Sequence, residues 1–277
     1  MKKILAVSGG VDSMVLFDLY KNDDVIVAHF DHGTRPSSKQ DAEFVQKICQ
    51  ENNIKCIVET ANLGENVSEA AARESRYAFL NKIAKVQNAK IYTAHHQDDL
   101  LESIIINLLR GTEWRGLVPM GSQNIARPFI EKGWRKKDII KYAGKRKLKF
   151  RQDPTNNEDN YLRNRVRASL AAKNERKLQN LLNLCRRQTE IKNEVDQIIA
   201  EILPKDGIYQ RSWFTKMPDA VAYEILRASL LQINIRATYP QLKEFLNAIK
   251  TYAPEKSFNL PSGRLVKIHK LYYNIKQ

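Results

Sequence analysis

Ile4-Leu5-Ala6-Val7-Ser8-Gly9-Gly10-Val11-Asp12-Ser13 runs from a short apolar stretch into a paired-glycine turn, and Met14–Tyr20 continues at helical spacing. Two adjacent glycines let a backbone approach a phosphate with no Cβ in the way. A helix that opens at Ser13 turns its free N–H groups and positive dipole end toward an anion. The hydroxyls of Ser8 and Ser13 can add hydrogen bonds. Ser8, Gly9, Gly10, Val11, Asp12 and Ser13 therefore read as a phosphate loop. The pattern lacks the Gly-Lys-Ser/Thr of a Walker loop and the GxGxxG of a dinucleotide turn. Asp12 is out of place beside phosphate unless it holds Mg2+ or fixes the loop.

Outward from this turn, Val25–Phe30, Lys55–Thr60 and Lys90–Ala94 repeat the pattern of Ile4–Val7 as short Val- and Ile-rich runs bounded by turn residues. Met14–Tyr20, Lys39–Asn53 and Ser68–Val86 lie between them with helical spacing. Such alternation predicts an α/β fold, a Rossmann-like doubly wound parallel sheet with helices on both faces. Ligands of these sheets bind at the carboxyl ends of the strands. Two polar clusters fall there: His29-Phe30-Asp31-His32-Gly33 with Arg35, and His95-His96-Gln97-Asp98-Asp99 with Glu102.

Asp98 and Glu102 are four residues apart, so a helix presents both on one face. Carboxylates there suit Mg2+ or a cationic substrate. Zinc is a poorer reading, because adjacent histidines point apart on a strand and no third ligand has a supporting spacing. Ala70–Leu80 reads as a packing helix, with Arg73 and Arg76 structural or at the surface.

Past Leu101–Leu109, which is apolar and helical, residues 111–131 read as irregular. Lys132–Arg151 holds ten Lys/Arg against one acid, and Arg163–Arg187 holds eight against one. The chain of 277 residues carries a net charge of +15, which points to a polyanionic partner, nucleic acid first. At 43% hydrophobic residues it has enough apolar surface for a buried core. Cys49, Cys56 and Cys185 form no disulfide framework and no CxxC pair. No apolar run approaches the roughly 20 residues of a membrane span. Together with the lack of a signal-like start, this predicts a cytoplasmic protein with no membrane partner. The expected organisation is a catalytic domain over 1–173, a linking helix over 174–204 ended by Pro204, and a smaller, mainly helical domain with a β-like end over 205–277.

The order SGGVDS, HFDHGTRPSS, AARESRYAFL, TAHHQDDLLES, LLRGTEWRGL, RPF and DPTNNEDNYLRNRVR over residues 8–167 resembles the tRNA(Ile)-lysidine synthetase family. SGGxDS alone marks only the wider PP-loop ATP pyrophosphatases; the later blocks discriminate. The resemblance implies an enzyme that uses ATP, Mg2+, free L-lysine and a minor isoleucine tRNA whose anticodon begins with cytidine. The cytidine C2 oxygen attacks the α-phosphate and releases pyrophosphate. The lysine ε-amine then displaces AMP to give lysidine. In that scheme Asp31, Arg110 and Asp12 are catalytic, and Asp12 and Asp31 hold the metal. Ser8–Ser13 and Arg35 bind ATP, and His96, Asp98 and Glu102 form the lysine pocket. Arg163, Arg165, Lys136 and Lys137 meet the nucleotide or the tRNA. A homodimer is a further possibility. The family's GLxGM is Gly116-Leu117-Val118-Pro119-Met120 here, and a further C-terminal domain of longer relatives is expected to be absent.

Three rivals use the same residues. A PP-loop enzyme that puts sulfur on a tRNA base would favour paired cysteines. An ammonia-using ligase would not need the basic flanks. A non-catalytic tRNA binder would not need the acidic and phosphate-loop residues.

Overall fold

The computed structural model describes residues 2–33, 38–61, 67–120, 124–151, 162–171 and 174–275, with the side chains at 69, 163, 164 and 171 outside that description. The chain divides into two compact units, Met1–Gln188 and Thr189–Gln277.

The first unit is built on β1 (Lys3–Ala6), β2 (Val25–Asp31), β3 (Lys55–Thr60), β4 (Lys90–Tyr92) and β5 (Ile125–Ala126), in the order β3-β2-β1-β4-β5. Every pairing is parallel. Alternate residues of a strand face opposite ways, and the strands use that to build two cores. Ile4, Ile26, Ala28 and Ile91 pack with Phe79, Leu80 and Ile83 of α3 (Glu69–Gln87) on one face. Leu5, Val25 and Val27 pack on the other with Met14 and Phe17 of α1 (Val11–Tyr20) and with Val45 and Cys49 of α2 (Ser38–Glu51). The doubly wound sheet expected from strand–helix alternation is thus present. The strand order reverses between β1 and β4, and such a reversal opens a crevice at the carboxyl ends of those strands.

The ends of α3 follow their local chemistry. The Ser68 hydroxyl accepts from Ala71 N–H at 3.2 Å, and Asn88 closes the helix at φ 46°. Next come α4 (Gln97–Leu109), a 3₁₀ turn (Trp114–Leu117), α5 (Pro128–Glu131), α6 (Lys136–Lys145) and α7 (Leu162–Ala171). The 111–131 region is not wholly irregular. It contains β5, whose two residues are too few to show an alternation, and α5, a single turn opened by Pro128.

The long helix α8 (Glu175–Ile202) lies within the 174–204 read as a linking helix. Leu178, Leu182 and Cys185 join the core formed by Leu101, Ile104, Val166 and Leu170 in the first unit, and the division into units falls inside the helix. The second unit continues with β6 (Ile208–Gln210), α9 (Arg211–Lys216), α10 (Asp219–Gln232), α11 (Tyr239–Thr251), β7 (Lys256–Asn259), β8 (Leu265–Ile268) and β9 (Tyr272–Asn274). Its antiparallel sheet, ordered β6-β9-β8-β7, shares a core with Phe214, Leu226, Phe245 and Ile249. Among the described residues no helix is long and apolar enough to cross a membrane.

Candidate active site

The turn after β1 is held open by its own residues. Gly9 has φ +91°, a conformation that costs a residue with a Cβ on the order of 1–2 kcal/mol. An added Cβ there would also meet Phe44 at 3.5 Å and Val45 at 3.6 Å. The Ser13 hydroxyl accepts from the N–H groups of Ser8 and Gly9, both at 3.1 Å, and donates to the Gly10 carbonyl at 2.9 Å. Its hydrogen is spent inside the loop, so Ser13 shapes the cradle; the exposed Ser8 hydroxyl lies beside it, 3.3 Å from the Ser13 oxygen. Arg151 closes the far side. Its N–H donates to the Gly9 carbonyl at 2.9 Å, and its guanidinium holds Asp41 and Gln40 of α2, each at 2.9 Å. The first-turn N–H groups of α1 have no acceptor within the helix and open toward the crevice.

A cavity of about 300 Å3 lies over this loop. Ser8, Gly10, Asp12 and Ser13 line it from β1 and α1, Asp31 and His32 from the end of β2, and Thr93 and His95 from the end of β4. The buried Asp31 carboxylate accepts from Gly33 N–H at 2.8 Å. His29, buried in β2, is bonded through Nδ1 to the Val7 carbonyl at 2.9 Å, which fixes the strand end just before the loop. Asp12 and Asp31 are two oxygen donors on one cavity. That suits Mg2+, which is commonly held by one or two carboxylates together with substrate phosphates. Among the described residues no group of three or more His, Cys, Asp or Glu side chains is placed to hold a metal ion.

A second cavity, about 240 Å3, is lined by Arg73, Arg76, Asp99, Glu102, Ser103, Met120 and Arg167. The two cavities share His32, Arg76, His95 and Asp99 as walls. Glu102, 1% exposed, is gripped by Arg167 through Nε at 2.6 Å and Nη2 at 3.1 Å. Carboxylates and guanidiniums thus face one small space, a charge pattern that matches an amino-acid zwitterion. Behind it, buried Arg127 donates to the carbonyls of Met120 at 2.7 Å and Ile125 at 3.3 Å, holding the loop that carries Met120.

Of the two adjacent histidines, His95 lies on the cavity walls and His96, expected in the lysine pocket, does not. His95 lines both cavities, with Nδ1 against the Thr93 hydroxyl at 2.8 Å. Burial, followed by the nearby Arg76, Arg73 and Arg127 guanidiniums, holds its imidazole well below the usual pKa, so the ring is neutral at pH 7. His96 lines neither cavity. It is the buried N-cap residue of α4, its N–H donating to Asp99 at 2.9 Å, and its Nδ1 lies 3.7 Å from Asp98 and 3.5 Å from Asp99.

Asp98 also lies off the cavities. Arg135 holds it through Nε at 2.7 Å and Nη2 at 2.6 Å, and Lys136 N–H donates to it at 2.8 Å. Burial pushes its carboxyl up, but these donors outweigh burial and leave it below the usual carboxylate range. Of the residues expected to hold lysine, Glu102 alone lines either of these two cavities. Lys136 Nζ sits 2.7 Å from each Asp12 oxygen, and Lys137 pairs with Glu175 at 3.5 Å. Arg110 caps α4 at the surface and lines neither cavity; Arg165 is exposed on α7. Arg35 and the Arg163 side chain lie outside the described residues. From sequence, Arg127 and Arg167 carry no role, Arg73 and Arg76 read as structural or at the surface, and His95 and Asp99 stand only as members of the polar cluster after β4. The available signal was that cluster and the AARESRY, RPF and LRNRVR blocks.

Comparison with known proteins sharpens this geometry. A family model described as a PP-loop domain matches residues 1–174. A tRNA(Ile)-lysidine synthase of Mycoplasmopsis pulmonis is 38% identical over 181 residues, 62% of this chain and 62% of that protein. Enzymes of the same name from Thermosipho africanus (38% over 179 residues, 59% of this chain and 42% of theirs) and Bacillus licheniformis (32% over 225 residues, 74% and 44%) also match. The chain therefore spans less than two thirds of the length of these relatives. Among solved structures, a U34-tRNA thiolase of Methanococcus maripaludis aligns with a TM-score of 0.57 at 17% identity, over 69% of this chain and 73% of that one, which is a likeness of fold. The paired-glycine turn, the β3-β2-β1-β4-β5 sheet and a family match from Met1 to the residue before α8 lead to one assignment: the chain belongs to the PP-loop family of ATP-binding proteins.

Proposed function

We propose that this protein is a tRNA(Ile)-lysidine synthase, ligating L-lysine to C2 of the first anticodon cytidine of a minor isoleucine tRNA at the expense of ATP. One observation carries this: a phosphate-loop cavity shares a wall with a smaller cavity lined by both carboxylates and guanidiniums. The named relatives, 38% identical over 181 and 179 residues, support it.

ATP occupies the larger cavity with its phosphates on Ser8–Ser13. Mg2+, held by Asp12 and Asp31, offsets phosphate charge when bound. The C2 oxygen of cytidine is a poor leaving group until it is adenylated, which explains the need for ATP. Lysine occupies the smaller cavity, its amines toward Asp99 and Glu102 and its carboxylate toward the arginines. Free lysine's ε-amine, with a pKa of about 10.4, is mostly protonated at neutral pH and cannot attack. A carboxylate, Asp99 or Glu102, or the neutral His95 imidazole on the wall common to both cavities can take that proton. The basic stretch of α6, with Lys137 and Lys141 exposed, and Arg165 of α7 contribute to tRNA binding. A base enters such a pocket only after leaving its stack.

The test is transfer of labelled lysine to an isoleucine tRNA transcript whose anticodon begins with cytidine, with the methionine tRNA alongside. Label on the first anticodon position of the isoleucine tRNA alone is expected. ATP-dependent transfer of sulfur in place of lysine would give the site to a different PP-loop chemistry.

A further inference from the structure

The Asp12–Lys136 pair joins residues 124 apart, and no step so far uses Lys136. Its ammonium lies 2.7 Å from both oxygens of Asp12. The base of Lys136 is fixed, because it is the first residue of α6 and its N–H is bonded to Asp98, which Arg135 holds in turn. The two helices that carry the pair are packed together through Val15 and Leu16 against Ile139 and Ala143. Asp18 of α1 reinforces them through Tyr142 at 3.0 Å and Arg146 at 3.1 Å. The backbone positions are set independently of the ion pair.

The pair itself is open to water, with the two side chains 42% and 32% exposed. Ion pairs with that exposure contribute about 0–1 kcal/mol to stability. Breaking it therefore costs the fold little, whereas its electrostatic effect falls on the cavity. Asp31, Asp41 and Asp99 also line that cavity, with Arg76 on the same wall and Asp41 paired to Arg151, so an unpaired Asp12 would add negative charge where a polyphosphate must bind.

We propose that Lys136 is a positioning residue for nucleotide binding, an exchangeable counter-ion of Asp12. It occupies the carboxylate while the cavity is empty and so opposes capture of a bare divalent cation. When ATP arrives with its cation, Lys136 leaves Asp12 to the cation and turns its flexible ammonium toward the polyphosphate. This rests on the nucleotide assignment of the cavity and not on lysidine formation.

Two binding measurements without tRNA or lysine test it. Mn2+ alone is titrated into the nucleotide-free protein and followed by electron paramagnetic resonance. ATP with Mg2+ is titrated by calorimetry. K136M is expected to bind Mn2+ alone about tenfold more tightly and Mg-ATP about tenfold more weakly, with Tm unchanged. D12N/K136M should lose the gain in Mn2+ affinity, and K136R should stay near the unmodified protein in both titrations. A purely structural lysine would not move the two affinities in opposite directions. An unchanged affinity for either ligand in K136M overturns the proposal. Absence of lysine transfer to tRNA leaves these outcomes untouched, and contradicts only the ligase reading.

Discussion

His95 and His96 are neighbours with separate fates, and substitution should divide them cleanly. H95A removes a ring from the cavity walls without emptying the core, so lysine transfer should fall by about 10²–10⁴, the range for loss of a positioned acid or base, with Tm preserved. H96A empties the buried start of α4 and should lower Tm first. Equal losses of activity at constant Tm would remove the distinction. The sequence pointed to this dipeptide, because it follows a strand. Which ring enters the cavity depends on the turn from β4 into α4, and composition does not encode that turn. Asp98 lies off both cavities for a related reason: four-residue spacing puts Asp98 and Glu102 on one face of a helix, but Arg135, 37 residues away, holds the first.

The same residues set an acid limit on stability. The folded protein resists protonating His95, whereas the unfolded chain accepts a proton near the ordinary imidazole value of about 6.5. Between that value and the lower folded one, the unfolded state binds more protons, so stability falls as pH falls. Asp98 adds a second loss at lower pH. Its depressed carboxyl stabilises the fold fully above the ordinary value of about 3.9 and ceases to do so as pH falls through the folded value. Tm should drop between pH 7.5 and 5.5, and H95Q should flatten that part of the profile. An unchanged slope in H95Q would show that other groups carry it.

At the scale of elements, the phosphate loop offers a comparison between its two glycines. G9A forces a Cβ into a positive-φ residue against α2, and should lower both Tm and ATP affinity. Gly10 has φ −72°, and its added Cβ would meet only the Ser8 hydroxyl, at 3.7 Å. G10A should therefore keep its Tm and weaken ATP binding, because the methyl group enters the cradle. Matching Tm losses in both would mean that the loop is a structural turn. This loop was legible because its chemistry is local: strand, glycine pair and helix start lie within ten residues. The strands β1 to β4 were legible for the same reason, each a short Val- or Ile-rich run. β5 was not, since two residues carry no pattern. Nor was α6, whose apolar positions Ile139 and Ala143 are submerged in lysines and arginines.

Over the whole molecule, charge and the two-unit organisation bear on tRNA. A net charge of +15 and an exposed basic α6 predict tRNA affinity that falls steeply with salt, while ATP affinity falls less. A weak salt slope for tRNA would argue against a phosphate-dominated interface. The second unit has its own core around Phe245 and Tyr273. We propose that it contributes to choosing isoleucine over methionine tRNA. A chain ending at residue 204 should then keep ATP binding and lose that preference, and an unchanged preference would remove the idea. Composition announced a polyanion early, because charge is additive along the chain. The pairing of Lys136 with Asp12 was hidden, because it depends on how α6 lies against α1.

The most direct measurement is release of AMP and pyrophosphate from ATP, with lysine and isoleucine tRNA each omitted in turn. The proposed ligation predicts pyrophosphate release that requires the tRNA, and AMP release that requires lysine as well. Pyrophosphate release without any tRNA, or turnover indifferent to lysine, would contradict lysidine synthesis and assign this PP-loop site to another acceptor.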